Sequence, residues 1–178
     1  MTAPVDPKAF RTVMGRWATG VTVVTAHDGD ADAGMTVNAF LSVALEPPSV
    51  LVSLQRDADT LPLIERSGRF ALSVLAADQR ALSEQFARPT PSAEKFRGVG
   101  VHRGATGAPL LDGTIGGLEC EVRSVVPAFD HRLVIGEVVG IDPGRDALPL
   151  LFFRSGYAVA EDGERVRLPP PRPPAGTH

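Results

Sequence analysis

Apolar and polar residues alternate along the chain from Gly34 to Gln55, in two runs joined at Glu46-Pro47-Pro48. Such alternation predicts β-strands, because successive side chains of a strand point to opposite faces. In the first run the odd positions are predicted to form the core face, namely Met35, Val37, Ala39, Leu41, Val43 and Leu45. The even positions form the opposite face, namely Thr36, Asn38, Phe40, Ser42 and Ala44. This second face carries small hydrogen-bonding groups and no charge, so we expect it to hold a flat, polar ligand.

A different spacing, of three and four residues, predicts helices elsewhere in the chain. Asp6-Pro7 is a typical helix start. An apolar stripe follows it, which we interpret as core packing or a subunit contact, at Phe10, Val13, Met14 and Trp17. Thr60 is predicted to cap a short helix that ends at Gly68, and Asp78 is predicted to cap a helix that runs through Phe86.

Further β-rich runs occur at residues 20–26, 49–55, 69–75, 117–126 and 131–141, and residues 150–153 are predicted to add an edge strand. The run at 20–26 is expected to pair with the central strand through the Asp28-Gly29 turn. Residues 127–130 are expected to link a second hairpin. The Pro- and Gly-rich stretch from 88 to 117 has few strand or helix signals between 96 and 111. Six or seven strands with few helices predict an antiparallel β-barrel, since closure removes exposed sheet edges.

Composition bounds the class of protein. The 178 residues are 43% apolar and 22% charged, which fits one folded domain, predicted at residues 1–165. Residues 168–178 have too much proline and too little apolar surface to fold, so a disordered Pro-rich tail is expected at residues 166–178. The net charge of -3 argues against a nucleic-acid partner.

Other features bear on the cellular compartment. The chain lacks a stretch of about 18 apolar residues, and its first ten residues lack the features of a signal peptide. The single cysteine, Cys120, excludes an internal disulfide and suits a reducing compartment, and we interpret it as a small buried hydrophobe. The four histidines lack metal-ligand spacing, so no metal site is expected. We therefore expect a cytoplasmic protein without a membrane span.

The residues that could carry chemistry suit a bound organic cofactor. The chain has none of the common phosphate-loop, dinucleotide-binding or hydrolase motifs. The polar face of the central strand, with Ser53 on the next strand, offers donors and acceptors to a planar ring. Arg56 and Thr60 combine a cation, a hydroxyl and a helix N-terminus, which suits a phosphate. The equally weighted alternative is that Thr60 only caps the helix and Arg56 is a solvated charge.

Two further positions could contact a ligand. Lys95-Phe96-Arg97 would supply more cations, although a surface charge run is the commoner meaning of such a triplet. His131 follows Asp130 at the mouth of the second hairpin, where a titratable ring could face a ligand, and a structural or solvated histidine is the alternative.

Six motifs occur in one order along residues 10–157. They are FRTVMGRWATGVTVVTA at 10–26, GMTVNAFLSVALEPPSVLVSLQ at 34–55, RFALSVLAADQRALSEQFA at 69–87, KF at 95–96, GAPLLDGTIGGLECEV at 107–122 and DHRLVIGEV at 130–138. In this order they resemble the flavin reductases of the FMN-binding split-barrel fold, which feed reduced flavin to two-component monooxygenases. The resemblance implies a mainly β protein, an antiparallel split β-barrel with a few short peripheral helices.

The resemblance also implies a set of site residues. The flavin ring and ribityl chain are expected along Met35, Thr36, Val37, Asn38, Ala39, Phe40 and Ser42. The cradle is expected to continue through Ser53, Leu54, Gln55 and Arg56, with the flavin phosphate at Thr60. Further cofactor contacts are implied at Phe86, Ala87, Lys95, Phe96, Arg97 and Tyr157. His131 is implied to face the nicotinamide side of the flavin, and it is the one residue assigned to the catalytic site, where it would position the nicotinamide.

The implied reaction is hydride transfer from NADH or NADPH to FMN or FAD. The reduced flavin then diffuses to a flavin-dependent monooxygenase, and the reductase itself is implied to be a homodimer. The family's usual Gly-Asp-His reads Phe129-Asp130-His131 here, so we expect an altered turn beside His131. Two alternatives stay open, namely a non-catalytic flavin- or haem-binding split barrel and a structural β-barrel that binds no cofactor.

Overall fold

The computed structural model describes residues 3–29, 31–161 and 165–167. The helical segments are α1 Pro7–Met14, α2 Thr60–Ser67, a 3-10 turn at Ala77–Gln79, α3 Arg80–Phe86 and α4 Ser92–Lys95. The strands are β1 Thr19–Gly20, β2 Thr22–Asp28, β3 Ala31–Val37, β4 Phe40–Leu45, β5 Pro48–Gln55, β6 Arg69–Val74, β7 Val101–Arg103, β8 Pro109–Leu111, β9 Gly116–Ala128, β10 His131–Asp142, β11 Leu150–Phe153, β12 Gly156–Glu161 and β13 Arg165–Arg167.

The strands form antiparallel sheets. The largest has the order β3-β2-β6-β9-β10-β5-β4, a second has the order β1-β11-β12-β13, and β7 pairs with β8. The predicted hairpins are both present, β2 with β3 and β9 with β10. The mainly β, antiparallel class with short helices is therefore confirmed. Within the described residues, no helix has the length and apolar character needed to cross a bilayer.

Two clusters of buried side chains form most of the core. The first includes Val24, Val37, Val52, Leu54, Ile64, Phe70 and Val134. The second includes Val21, Val23, Leu75, Phe86, Leu111 and Leu150. Cys120 belongs to the first cluster, and burial raises the pKa of its thiol to about 12. The prediction of a small buried hydrophobe at Cys120 is confirmed.

The first helix begins where it was predicted. The carboxylate of Asp6 accepts hydrogen bonds from the backbone nitrogens of Lys8 at 3.2 Å and Ala9 at 3.1 Å, which satisfies two donors of the first turn. The apolar stripe does not enter the core, because all its side chains are exposed, namely Phe10, Val13, Met14 and Trp17. Trp17 also lies beyond the last helical residue, Met14.

The predicted core face of the central run is right for β3 and wrong for β4. Met35 and Val37 pack against the first core cluster as predicted. The strand then breaks at Asn38 and Ala39, and β4 resumes with the opposite face inward: Phe40 lies opposite the buried Val52. Leu41, Val43 and Leu45 are consequently 51%, 50% and 87% exposed. The irregular backbone at Asn38 and Ala39 turns the chain between the two strands, so the alternation of β3 does not continue into β4, and a register irregularity follows between Ser42 and Ala44.

The other two predicted helix caps, Thr60 and Asp78, are displaced. Thr60 is the first residue of α2 rather than its cap, which is Asp59. The end of that helix is as predicted, with Gly68 in the left-handed conformation at a φ of 66°. Asp78 lies inside the 3-10 turn that precedes α3, and its carboxylate pairs with Arg145 instead of capping the helix.

Other boundaries also differ from the predictions. The stretch between 88 and 117 contains α4 and the β7–β8 hairpin, whose elements of three or four residues are too short to give a periodic pattern. β11 is not an edge strand, because it lies between β1 and β12. The loop of the second hairpin is shorter than predicted, since β9 continues to Ala128. The disordered tail was predicted at 166–178, but Val166 and Arg167 belong to β13, which pairs with β12. Residues 168–178 lie outside the described residues.

Candidate functional site

A cavity of about 730 Å³ lies between β3, the β5–α2 connection and the segment that joins α3 to α4. We call it the main cavity. Its lining residues are Met35, Thr36, Gln55, Asp57, Ala58, Asp59, Thr60, Phe86, Ala87, Arg88, Pro89, Thr90, Pro91 and Lys95. Segments distant in sequence meet here because the large sheet curls: β3 contacts β5 although four strands separate them in the sheet, and α3 and α4 pack on β3.

One wall of the main cavity carries a buried cation. Lys95 is only 8% exposed, and its Nζ donates a 3.3 Å hydrogen bond to the carbonyl oxygen of Gly34. Burial lowers the pKa of Lys95, while the negative charge of Asp59 partly opposes that effect. A buried ammonium group that lines a cavity attracts an anion, because the surrounding medium screens it weakly.

Thr60 lies at the same end of the main cavity. It is 1% exposed and lines the cavity. Arg88 lines this cavity as well, so a second cation is available nearby. The hydroxyl, the buried lysine and the arginine together suit a phosphate group.

The other end of the site is built from hydroxyl groups. Thr36 Oγ1 donates a 2.7 Å hydrogen bond to the carbonyl oxygen of Ser83, and the Ser83 hydroxyl lies 2.9 Å from the Tyr157 hydroxyl. They border a small cavity of about 180 Å³, lined by Val21, Thr36, Val37, Asn38, Ser83, Ala87, Phe152 and Tyr157. The small cavity shares Thr36 and Ala87 with the main cavity, so the two form a continuous surface along β3.

An outer cavity of about 620 Å³ borders the main cavity at Asp59 and Pro91. Its lining residues are Ala31, Asp32, Ala33, Asp59, Leu63, Pro91, Ser92, Ala93 and Phe96. The Ser92 hydroxyl is buried without a hydrogen-bond partner in the described part of the chain. The outer cavity thus combines an apolar surface, one aromatic ring and a few polar groups.

Packing of two aromatic rings separates the outer cavity from the main one. Phe86 and Phe96 meet edge to face, with ring centroids 5.0 Å apart. A Cβ atom at Gly34 would lie 2.8 Å from the Phe86 ring, so a side chain at this position would displace the ring. The glycine in β3 therefore allows the aromatic pair to sit directly on the sheet.

His131 stands at the rim of the main cavity. It is the β10 residue opposite Gln55 of β5, and Gln55 lines the cavity. The Nδ1 atom of His131 lies 2.8 Å from Asp130 Oδ1, and this hydrogen bond is the main cause of a lowered pKa at Asp130. The backbone nitrogen of Arg56 donates to the carbonyl oxygen of Asp130 at 3.0 Å. These bonds fix the β9–β10 turn against the start of the β5–α2 connection.

The structure brings many predicted site residues together. Those that line the main or small cavity are Met35, Thr36, Val37, Asn38, Gln55, Thr60, Phe86, Ala87, Lys95 and Tyr157. Phe96 lines the outer cavity, and Arg97 lines a fourth cavity of about 290 Å³ together with Lys95. The predicted residues that line none of these four cavities are Ala39, Phe40, Ser42, Ser53, Leu54, Arg56 and His131. Leu54 is fully buried in the first core cluster.

Several lining residues were not predicted from the sequence. In the main cavity they are Asp57, Ala58, Asp59, Arg88, Pro89, Thr90 and Pro91. Residues 88–91 begin the long Pro- and Gly-rich stretch that runs to residue 117. A long irregular stretch in a compact domain often has a function, so its length was the available sequence signal. In the described part of the chain, no group of three or more His, Cys, Asp or Glu residues could hold a metal ion.

Comparison with known proteins identifies the family. The family model described as "Flavin reductase like domain" matches residues 14–161. The chain is 34% identical over 165 residues to the reductase subunit HsaB of a flavin-dependent monooxygenase from Rhodococcus jostii (strain RHA1), covering 93% of this chain and 84% of that protein. The structure of the flavin reductase PheA2 in its native state aligns with a TM-score of 0.81 at 38% identity, covering 89% of this chain and 100% of that one.

A further solved structure is of a complex. The NADH:FAD oxidoreductase SgcE6 of Streptomyces globisporus C-1027, in complex with NAD and FAD fragments, aligns with a TM-score of 0.79 at 35% identity. The alignment covers 88% of this chain and 95% of that one. Sequence and structure thus agree over nearly the whole described fold, and the chain belongs to the flavin reductase like domain family.

Proposed function

We propose that this chain is an NAD(P)H-dependent flavin reductase that reduces FMN or FAD and supplies reduced flavin to a partner monooxygenase. Family membership supports the reaction class. The observation that carries the proposal is the continuous surface along β3, with a buried lysine at one end and hydroxyl groups at the other. A flavin nucleotide has the same order of groups, an anionic phosphate at one end and a flat polar ring at the other.

The phosphate belongs at the end of the main cavity that holds Lys95, Thr60 and Arg88. Lys95 supplies a weakly screened positive charge, and the Thr60 hydroxyl supplies a donor. The ring belongs toward Thr36 and Asn38, where β3 ends and the small cavity begins. The Thr36–Ser83–Tyr157 contacts hold this end of the surface in place, since they tie β3, α3 and β12 together.

The outer cavity makes the longer flavin, FAD, the better ligand. It adjoins the phosphate end at Asp59 and Pro91, where a second phosphate and an adenosine would continue from the first. Phe96 offers an aromatic surface for adenine, and the Ser92 hydroxyl lacks a partner within the described residues. FMN would leave this cavity without a ligand.

The bound flavin and the nicotinamide supply the redox chemistry, in which a hydride passes from nicotinamide C4 to flavin N5. The protein's task is to hold the two ligands in order and to leave one side of the flavin open to the donor. Asp130 holds His131 through Nδ1, and within the described residues the Nε2 atom has no partner. His131 can therefore position the donor at the rim of the main cavity.

We also infer that the enzyme is a homodimer through the outer face of the large sheet. Leu41, Leu51 and Ile135 lie side by side in neighbouring strands, since directly opposed residues share a face. Leu41, Val43 and Leu45 are at least half exposed, an apolar surface that a partner subunit would cover. Leu41→Glu should give a monomer in sedimentation velocity at micromolar protein, and an already monomeric wild type would contradict the inference.

The cytoplasm, where NADH and NADPH are available, is the compartment that we propose for this reaction. A single buried cysteine is compatible with reducing conditions.

Titration of the purified protein with FAD and FMN, followed by addition of NADH, separates the proposed enzyme from the non-catalytic alternative. Tight flavin binding without NADH oxidation would favour the non-catalytic protein. Absence of flavin binding would favour a structural barrel. Thr60→Ala should weaken flavin binding, and an unchanged flavin Kd would remove Thr60 from the phosphate site.

A further inference from the structure

The turn between β9 and β10 holds a residue in an unusual conformation. Phe129 has a φ of 56°, in the left-handed region that glycine occupies freely and a bulky side chain occupies only at a cost. The turn has two residues, Phe129 and Asp130, and the strands pair directly on either side of it. A short hairpin turn with one positive φ at its first position normally takes glycine there.

Packing within the chain does not account for the phenylalanine. Its side chain is 100% exposed, so no contact inside the described structure offsets the strained backbone. Such strain persists where it serves a function, and a fully exposed aromatic ring serves one only by contacting another molecule.

The position of the turn indicates which molecule. The Asp130 carbonyl accepts from Arg56, and His131 follows at the rim of the main cavity beside Gln55. The positive charge of Arg56 acts on Asp130, which places a cation near the turn. Arg132 is the next residue after His131, and its side chain donates to the His131 carbonyl. An anionic ligand with a flat aromatic ring matches an exposed phenyl ring on a turn whose Asp130 is close to the positive charge of Arg56.

We propose that Phe129 is a binding residue for the hydride donor, whose ring system stacks on the Phe129 side chain when the pyridine dinucleotide enters beside His131. This inference rests on the proposed reductase function. It assigns Phe129 to the donor and not to the flavin, because the flavin surface runs along β3 and does not include the turn. Aromatic stacking is lost when the ring is replaced, whatever the backbone conformation.

Three variants separate the ring from the strained backbone. Phe129→Leu removes the aromatic ring and keeps the left-handed strain, Phe129→Tyr keeps both, and Phe129→Gly removes both. We expect the KM for NADH at saturating FAD to rise about 2- to 10-fold in the Leu and Gly variants and to stay within about twofold in the Tyr variant. The FAD Kd should be unchanged in all three, and the Tm of Phe129→Gly should not fall.

Direct titration of NAD+ into the FAD-loaded protein gives a second readout that does not need turnover. The same ranking of variants in the NAD+ Kd would support the proposal even if the wild type oxidised no NADH, in which case the proposed function alone would have failed. An NADH KM and NAD+ Kd that are unchanged in Phe129→Leu would overturn the role of Phe129. A variant that loses its subunit partner in sedimentation, or an FAD Kd that rises with the NADH KM, would also overturn it.

Discussion

Lys95 is the side chain whose removal tests the phosphate site most sharply. Lys95→Met keeps the approximate length of the side chain and removes its charge. The residue is 8% exposed and lines the main cavity. A hydrogen bond to a charged group contributes about 1.5–3 kcal/mol. We therefore expect flavin binding to weaken by about 2 kcal/mol, which is roughly 30-fold in Kd.

Lys95→Met should weaken flavin binding but should not lower the stability of the ligand-free protein. Burial lowers the pKa of Lys95, which means that the folded state disfavours its charged form and that charged Lys95 destabilises the fold at neutral pH. Removing the charge should leave the Tm unchanged or raise it. A large fall in Tm would show that Lys95 supports the fold rather than the ligand.

Lys8, the chain's other lysine, gives a matched control, since it is exposed on α1. Flavin Kd can be measured for wild type, Lys95→Met and Lys8→Met by quenching of flavin fluorescence at two salt concentrations. Raising the salt concentration should weaken flavin binding less in Lys95→Met than in wild type, because the variant lacks the Lys95 charge whose attraction to the phosphate salt would screen. Equal affinity in all three proteins would refute the assignment of the phosphate to this end of the cavity.

Three other predictions follow from the same structure. His131→Ala should raise the KM for NADH more than the flavin Kd in steady-state and binding assays, and the reverse order would argue against a donor-positioning role. Ala93→Trp, which places a large ring at the wall of the outer cavity from an exposed position, should raise the Kd for FAD and leave that for FMN unchanged; equal losses for both flavins would remove the adenosine from this cavity. His102 lies 2.8 Å from Asp112 Oδ1 and 3.1 Å from Asp142 Oδ2, and the hydrogen bond to Asp112 raises its pKa. This stabilisation is complete below the unfolded pKa of about 6.5 and is lost as the pH rises through the raised folded value, so amide exchange in the β7–β8 hairpin, corrected for its intrinsic rate, should speed up over that range. His102→Gln should abolish this pH dependence, and a pH dependence that survives in the variant would contradict the assignment.

The parts of the fold that the sequence predicts best are long, regularly patterned elements. The β2–β3 and β9–β10 hairpins combine alternation with recognisable links, so both partners and pairings could be predicted. The facing of β4 could not, because Asn38 and Ala39 are only weakly disfavoured in strands and the apolar-polar alternation continues through them without a Gly or Pro. The β7–β8 hairpin has strands of three residues, and alternation over three positions carries little information.

The site residues that could be predicted from the sequence also lie in regular elements, and those that could not lie in connecting segments. Thr36 and Thr60 stand out in sequence because a strand face and a helix start are periodic or capped features. Asp59, Arg88 and Pro91 lie in connecting segments, whose neighbours in space depend on how the chain returns to the sheet. Ser42 was predicted to contact the flavin because the polar face was expected to continue beyond β3. That face ends where β3 ends, and Ser42 is exposed on β4 and lines none of the four cavities.

Anaerobic mixing of the protein with FAD and NADH measures the central claim directly. A reductase should bleach the absorbance of oxidised FAD while NADH is consumed in equal amount, and the reduced FAD should then be released and pass through a filter that retains the protein. FAD that binds but stays oxidised in the presence of excess NADH would contradict the proposed function.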